Sequence, residues 1–400
     1  MKRGCACRQR RYRGTQVDTD PALNQYFTRK KNIVASAAPS GIPRPSPPGP
    51  AEVYLKSYHF SARASLDMPG SSMGIELRES ETPQPGPGQV LLRIRASALN
   101  FADLTFLAGG LPNAEGLVPL LDGAGEIAAL GPGVSRWLVG DRVIANPHQN
   151  WLAGEARPPS YGQVLGGTVD GMLRDYAVLP ETGLAAMPSH LSFEEAAALP
   201  CAGLTAWNSI LGGPPNKRPC VPGETVLVQG TGGVALFLLQ FAKLAGCRAI
   251  ALTSSQSKAE LLRSMGADAV INYVETPDWS RPVLELAGGN GVDLVVELGG
   301  PSTLPQSIAV TRPGGRIALI GVVGGLGSID YVNLLPIITK ALTVFANSMG
   351  SLADLENMSR AIEIHGLRPT LDRTFGFEEA PEAFRHFAAR SHVGKVVISH

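Results

Sequence analysis

The chain has 400 residues, of which 44% are hydrophobic, 17% charged and 6% aromatic, with 35 basic against 34 acidic side chains for a net charge of +1. These proportions exclude a largely disordered chain, and the near-neutral balance gives no ground for a nucleic-acid partner. Five scattered cysteines are too few for a disulfide framework at this length and fit a reducing compartment.

Residues 1–52 stand apart from the rest. Nine basic and two acidic residues in the first 31 positions give +7 there and leave −6 for the other 369. Six prolines follow between Pro39 and Pro50 with no hydrophobic period, so the stretch reads as a disordered, basic, proline-rich arm. Two readings of the arm stay open. One is an extension with no address function, which leaves the protein cytoplasmic; the other is a mitochondrial presequence, suggested by an Arg-rich start with no acid in the first 17 positions.

From residue 53 to about 187 the pattern is short strands and turns: the loop Pro83–Gly88, the alternating run Val90–Ala96, then turn-rich sequence to Pro188. This predicts a mostly β domain. After Ser192 strands and helices alternate, with strands at Glu224–Gly230, Arg248–Thr253 and Ala269–Tyr273 and helices at Val234–Ala245 and Lys258–Met265. Apolar runs at Val292–Leu298 and Arg316–Gly321 add two strands. Continuous apolar strands alternating with helices predict an α/β domain, residues 188–339, built on a doubly wound parallel sheet covered on both faces. The chain closes on a strand-like Gly394–Ser399. A spanning helix needs ~20 uncharged apolar residues, and the longest runs here stop at 13, so no membrane contact is expected.

The segment Gly230-Thr231-Gly232-Gly233-Val234-Ala235 reads G-x-G-x-x-A between a strand and a helix. The first glycine suits a tight turn, the second lets backbone approach a pyrophosphate, and the small third residue lets helix and strand pack closely. Free N–H groups and the positive end of the helix dipole would face the phosphates. At the end of the next strand an NAD site places an acid on the ribose 2′-OH, but here the sequence is Thr253-Ser254-Ser255-Gln256-Ser257-Lys258. Two hydroxyls, Ser254 and Ser255, and the Lys258 cation suit a 2′-phosphate, so NADP is the expected cofactor. The alternative is that Lys258 only begins a helix on a solvated face.

Further motifs accompany this loop: Ala98–Asp103, Asp122–Glu126, Leu130–Val134, Val139–Val143 and Leu199–Trp207. Together they resemble the medium-chain dehydrogenase/reductase superfamily, and within it the zinc-free, quinone-oxidoreductase-like branch. The resemblance covers residues 53–400 and implies a GroES-like catalytic domain (53–187), a Rossmann domain (188–339) and a C-terminal segment (340–400) completing the catalytic domain. It also implies a homodimer, a cleft site between the domains, and a 2′-phosphate held by Lys258, Tyr273 and Arg390. Gly321, Val322 and Val323 resemble the segment beside the nicotinamide.

In zinc-dependent members of the superfamily, a cysteine in the first marker, a His-Glu pair in the second and a further cysteine or aspartate bind the metal. Here the first position is Asn100, the second marker reads Asp122-Gly-Ala-Gly-Glu126, and only Cys201 remains, which cannot make a tetrahedral zinc site. Residues 140–190 contain no cysteine, so the structural zinc lobe is also missing. His148 reads as a surface-loop histidine and Cys201 as a packed thiol. Without a Lewis acid, conjugated acceptors are favoured, because charge developing after hydride arrives at the β-carbon is delocalised to an oxygen.

The expected activity is therefore NADPH-dependent, zinc-independent reduction of quinones or α,β-unsaturated carbonyl compounds. Candidate catalytic residues are Asn100, Thr205 and Tyr161, each with a structural alternative: a turn cap, a helix start and a loop-packing aromatic. Asp103 and Asp122 read as hydrogen-bonded fold residues. Two other activities stay open: an alcohol dehydrogenase acting on an alcohol/ketone pair, and a non-catalytic nucleotide-binding protein, crystallin-like or RNA-associated.

Overall fold

The computed structural model describes residues 55–68, 70–109, 115–158, 162–212, 218–321 and 333–400. The basic arm, Tyr161, Val322 and Val323 lie outside them. All of the described residues fall within a single unit, Glu52–His400.

Strands β1 (Leu55–Ser61) and β2 (Gly74–Ser80) pair antiparallel. Next come β3 (Gln89–Ala98), helix α1 (Phe101–Leu107), β4 (Asp122–Leu130), β5 (Arg142–Ala145), β6 (Tyr176–Pro180) and β7 (Leu184–Ala186). In β3 the alternation read from sequence is kept, with Leu92, Ile94 and Ala96 buried and Arg93 outside. Helix α2 (Phe193–Ala197), a π-helical turn at Leu199–Gly203 and helix α3 (Leu204–Ile210) lead to the second half. Ser192 caps α2 through a capping box with Glu195.

The βα alternation then runs β8 (Thr225–Gln229), α4 (Gly233–Leu244), β9 (Arg248–Thr253), α5 (Gln256–Ser264), β10 (Ala269–Asn272), α6 (Ser280–Leu286), β11 (Val292–Glu297), α7 (Leu304–Val310), β12 (Thr311–Leu319), α8 (Leu335–Thr339) and β13 (Thr343–Ala346). These six strands form one sheet in the order β10-β9-β8-β11-β12-β13. Every pairing in it is parallel. The order reverses between β8 and β11, and that switch point is where open α/β sheets leave a crevice at the strands' carboxyl ends. The strand cores Val226–Val228, Ala249–Ala251 and Leu294–Val296 are fully buried, as two covered faces require.

The chain ends with α9 (Leu352–His365), β14 (Leu371–Gly376), α10 (Ala380–Ala388) and β15 (Lys395–Ser399). Strand β15 pairs with β14 on one side and antiparallel with β3 on the other. The last strands thus join a seven-stranded sheet ordered β14-β15-β3-β4-β5-β7, with β6 also paired to β3. The fold class is the one expected: a GroES-like, mostly β half and a doubly wound parallel sheet.

Two boundaries shift from the sequence reading. The parallel sheet runs past residue 339, because Thr343–Ala346 pairs with Arg316–Leu319. A four-residue edge strand that is largely exposed carries too little apolar pattern to be read. Helix α5 begins at Gln256 rather than Lys258, since Ser255 is its N-cap and accepts a hydrogen bond from the Lys258 N–H at 3.4 Å.

Candidate active site

The glycine loop lies at the switch point, between the end of β8 and helix α4. Gly230 has φ +84°, a left-handed conformation that an L side chain adopts only with strain, and its N–H donates to the Leu252 carbonyl at 2.8 Å. Gly233 is needed for a different reason: a Cβ there would come within 2.7 Å of Cδ of Lys395. Gly232 is different again. Its φ is −76° and a Cβ would meet no atom within 4 Å, so nothing in the chain itself demands glycine there. The space a side chain would fill lies at the N-terminus of α4, where a dinucleotide pyrophosphate would sit. Thr231 is buried between these glycines, and Ala235 packs fully into the core.

A buried polar lock shapes the other side of the crevice. Gln229, the last residue of β8, donates through Nε2 to Glu297 at 3.0 Å and accepts the Leu298 and Gly299 N–H groups on Oε1 at 3.0 and 3.2 Å. Glu297, fully buried, accepts from Gly299 N–H at 2.8 Å, Gly300 N–H at 2.9 Å and the Thr303 and Ser307 hydroxyls. Two strand ends and the loop after β11 are thereby fixed in one conformation. Gly321 packs against this loop: its N–H donates to the Glu297 carbonyl, and a Cβ would lie 2.1 Å from the Leu298 carbonyl oxygen. Sequence reading missed the lock, because a Gln and a Glu 68 positions apart show their partnership only once β8 and β11 are neighbours.

Ser254, Ser255, Lys258 and Tyr273 gather one strand further out. Tyr273 N–H donates to the Thr253 carbonyl at 2.9 Å, which brings the ends of β9 and β10 together. Tyr273 is 41% exposed. Among the described residues Lys258 has no ion-pair partner. Arg390 has φ +56° and its guanidinium carbon lies 5.4 Å from the Phe101 ring centroid, over α1.

Beneath the glycine loop sits a buried ionic cluster. Lys395, the first residue of β15, donates its three ammonium protons to the Leu99 carbonyl at 2.7 Å, Asn100 Oδ1 at 2.7 Å and Asp122 Oδ2 at 3.0 Å. Asn100 Nδ2 donates to the same Asp122 oxygen at 2.9 Å, and Cys201 N–H donates to Asp122 Oδ1 at 2.8 Å. Asp103 accepts from the Asn100 N–H at 2.7 Å. Burial raises the Asp122 carboxyl above the ordinary range, raises Asp103 to about 8, and pushes the Cys201 thiol well up.

This cluster changes the reading of two candidate residues. Asn100 is 7% exposed with its amide committed to Asp122 and Lys395, so it is a structural link rather than an open donor. Thr205 is 4% exposed in the first turn of α3, inside the wall rather than on it. His148 also departs from expectation: it is 1% exposed and its ring stands edge-on to Trp151 at 5.6 Å. A lone histidine in a turn-rich stretch carries no periodicity from which burial can be read.

With the geometry in place, comparison with known proteins is informative. Residues 86–189 match the family described as alcohol dehydrogenase GroES-like domain, and residues 233–363 match zinc-binding dehydrogenase. A zinc-type alcohol dehydrogenase-like protein from Schizosaccharomyces pombe is 41% identical over 81% of this chain and 94% of its own length. A quinone oxidoreductase from Pseudomonas aeruginosa is 34% identical over 81% and 95% respectively. Among solved structures, an NAD-dependent alcohol dehydrogenase superposes with a TM-score of 0.76 at 33% identity, covering 86% of this chain and 99% of that one. The chain belongs to the medium-chain dehydrogenase/reductase superfamily of oxidoreductases.

The name of the second matched family carries zinc, and the donor set here does not fit that ion. The markers that carry the ligands in zinc-dependent members are represented here by Asn100, the segment Asp122–Glu126 and Cys201, and the Lys395 ammonium is bonded to Asn100 and Asp122. A divalent cation placed there would face a full positive charge in a low-dielectric interior. Among the described residues no group of three or more His, Cys, Asp or Glu converges to hold a metal. None of the described helices is long and apolar enough to cross a membrane.

Proposed function

We propose that this chain is an NADPH-dependent, zinc-independent reductase of quinones or α,β-unsaturated carbonyl compounds. Two observations carry the reading: Gly232 is a glycine required by nothing inside the protein, and the Lys395 ammonium is bonded to Asn100 and Asp122, which lie in the markers that carry the ligands in zinc-dependent members. The bound dinucleotide supplies the hydride. The chain's own groups bind and orient: the N-terminus of α4 and the glycine loop receive the pyrophosphate, while Ser254, Ser255, Lys258 and Tyr273 receive the 2′-phosphate. The lock between Gln229 and Glu297 holds the loop after β11, on which Gly321 packs, against the crevice. Acceptors that delocalise charge through their own conjugation need least from such a site. Tyr161 is the proposed hydroxyl partner of the substrate, with Asn100 and Thr205 supporting the wall.

A homodimer is proposed from superfamily membership, and a cytoplasmic location from Cys201, Cys220 and Cys247 all being free thiols. The alternative reading, an alcohol dehydrogenase, is favoured by the match to the zinc-binding dehydrogenase family and by the similarity to an NAD-dependent alcohol dehydrogenase. One experiment separates them: NADPH oxidation against a panel of quinones and enones, with zinc measured on the same sample. Turnover without stoichiometric zinc is the expected result. Stoichiometric zinc with alcohol oxidation would overturn the proposal, and tight binding without turnover on any acceptor would point to the non-catalytic role.

A further inference from the structure

Glu297, the last residue of β11, is completely enclosed. Five donors converge on its carboxylate: the Gln229 amide at 3.0 Å, the Gly299 and Gly300 N–H groups at 2.8 and 2.9 Å, and the Thr303 and Ser307 hydroxyls. All five are electrically neutral. Elsewhere in the interior Asp122 pairs with Lys395, and Glu224 with Arg218 and Arg316. Among the described residues Glu297 enters no ion pair. Neutral donors satisfy its lone pairs but leave a net negative charge in a low-dielectric interior.

An enclosed charge without a counter-ion is costly, and joining β8 to β11 does not require one, since neutral side chains could make the same link. The topology places this charge relative to the crevice. The glycine loop follows β8, and the groups assigned above to the adenosine half, Ser254, Ser255, Lys258 and Tyr273, follow β9 and β10. In the order β10-β9-β8-β11-β12-β13, the other half of a dinucleotide lying across the crevice falls on the side of β11 and β12. Glu297 ends the first of these strands. Its carbonyl accepts the Ile320 and Gly321 N–H groups at 3.0 and 3.1 Å, just past the end of the second.

We propose that Glu297 is the fixed counter-charge of the nicotinamide ring. The inference rests on the reading of the crevice as a nicotinamide-dinucleotide site. The carboxylate touches neither cofactor nor acceptor; it is a positioning residue whose field acts across the loop it holds. Hydride transfer carries two electrons to the acceptor, a proton from solvent completes the product, and the ring is left with a positive charge. A negative charge buried on that side favours the cationic ring over the neutral one. It therefore tightens the oxidised cofactor relative to the reduced one and assists departure of the hydride.

The test is calorimetric titration of the intact protein with NADPH and with NADP+, for the natural chain and three variants. In Glu297→Gln the ratio of the NADP+ to the NADPH dissociation constant should rise about three- to tenfold. Gln229→Lys leaves Glu297 in place and sets a cation against it, so the ratio should rise in the same sense, and this variant carries the test if Glu297→Gln does not fold. Ser307→Ala removes one hydrogen bond and keeps the charge; both forms should weaken together, by less than about threefold, with the ratio unchanged. An unchanged ratio in either folded charge variant would overturn the assignment. So would an equal rise in Ser307→Ala, which would make the rigidity of the lock responsible rather than its charge. Failure of the underlying cofactor reading looks different: the natural chain would bind neither form.

Discussion

Lys395 and Asp122 stand 273 positions apart in the chain and 3.0 Å apart in the fold, with 3% and 0% of their side chains exposed. Around them meet the end of β3, the start of β4, the π-helical turn at Cys201 and the first residue of α4. Removing one partner of a buried pair strands the other charge, at a cost of about 3–5 kcal/mol. Lys395→Met should lose about that much stability in urea unfolding, and Lys395→Met with Asp122→Asn should recover most of it. Equal losses in the single and double variants would show that the pair is not coupled.

Gly232→Ala separates folding from binding. With φ −76° and open space where the methyl would go, the unfolding free energy should stay within about 0.5 kcal/mol of the natural chain. Dinucleotide affinity, read by fluorescence titration, should fall at least about tenfold, because the methyl fills the phosphate cradle. Unchanged affinity would place the cofactor elsewhere.

Cofactor choice is tested at Lys258. Lys258→Glu should weaken NADPH binding by about thirtyfold or more, replacing attraction with repulsion at the 2′-phosphate, while NADH changes by less than about threefold. Equal loss for both dinucleotides would mean that Lys258 does not meet that phosphate.

Asp103 predicts a pH dependence. Its carboxyl is raised by burial to about 8 in the folded chain, well above its ordinary value of 3.8, so folding favours the protonated form. The stability this contributes is complete below the ordinary value and is lost progressively as pH rises, until it is gone above about 8. Asp103→Asn imitates the neutral carboxyl at all pH values. Relative to the natural chain it should gain on the order of 1–3 kcal/mol between pH 5 and pH 8 in urea unfolding. Parallel pH profiles for the two proteins would show that Asp103 is already ionised.

The sequence was legible wherever a local pattern and a physical demand coincide. Continuous apolar runs gave β8, β9 and β11 because both faces of that sheet are covered, and G-x-G-x-x-A gave the loop because its turn, approach and packing demands fall within six residues. Ser254, Ser255, Lys258 and Tyr273 were grouped in the sequence reading because consecutive parallel strands end side by side. Lys395 and Glu297 were not, since a lone lysine or glutamate reads as a surface charge until distant strands enclose it. Asn100 was recognised as important for the wrong reason: its motif marks the site, but its amide faces inward to Lys395 and Asp122.

The bridge from Gly232 to Gly394 has a mechanical consequence. The glycine loop and the segment leading into the strand that carries Lys395 share backbone hydrogen bonding, and that strand lies inside the sheet of the opposite half. Loosening either half pulls on the other, so the two should melt in one calorimetric transition, and dinucleotide should shift that single endotherm upward as a whole.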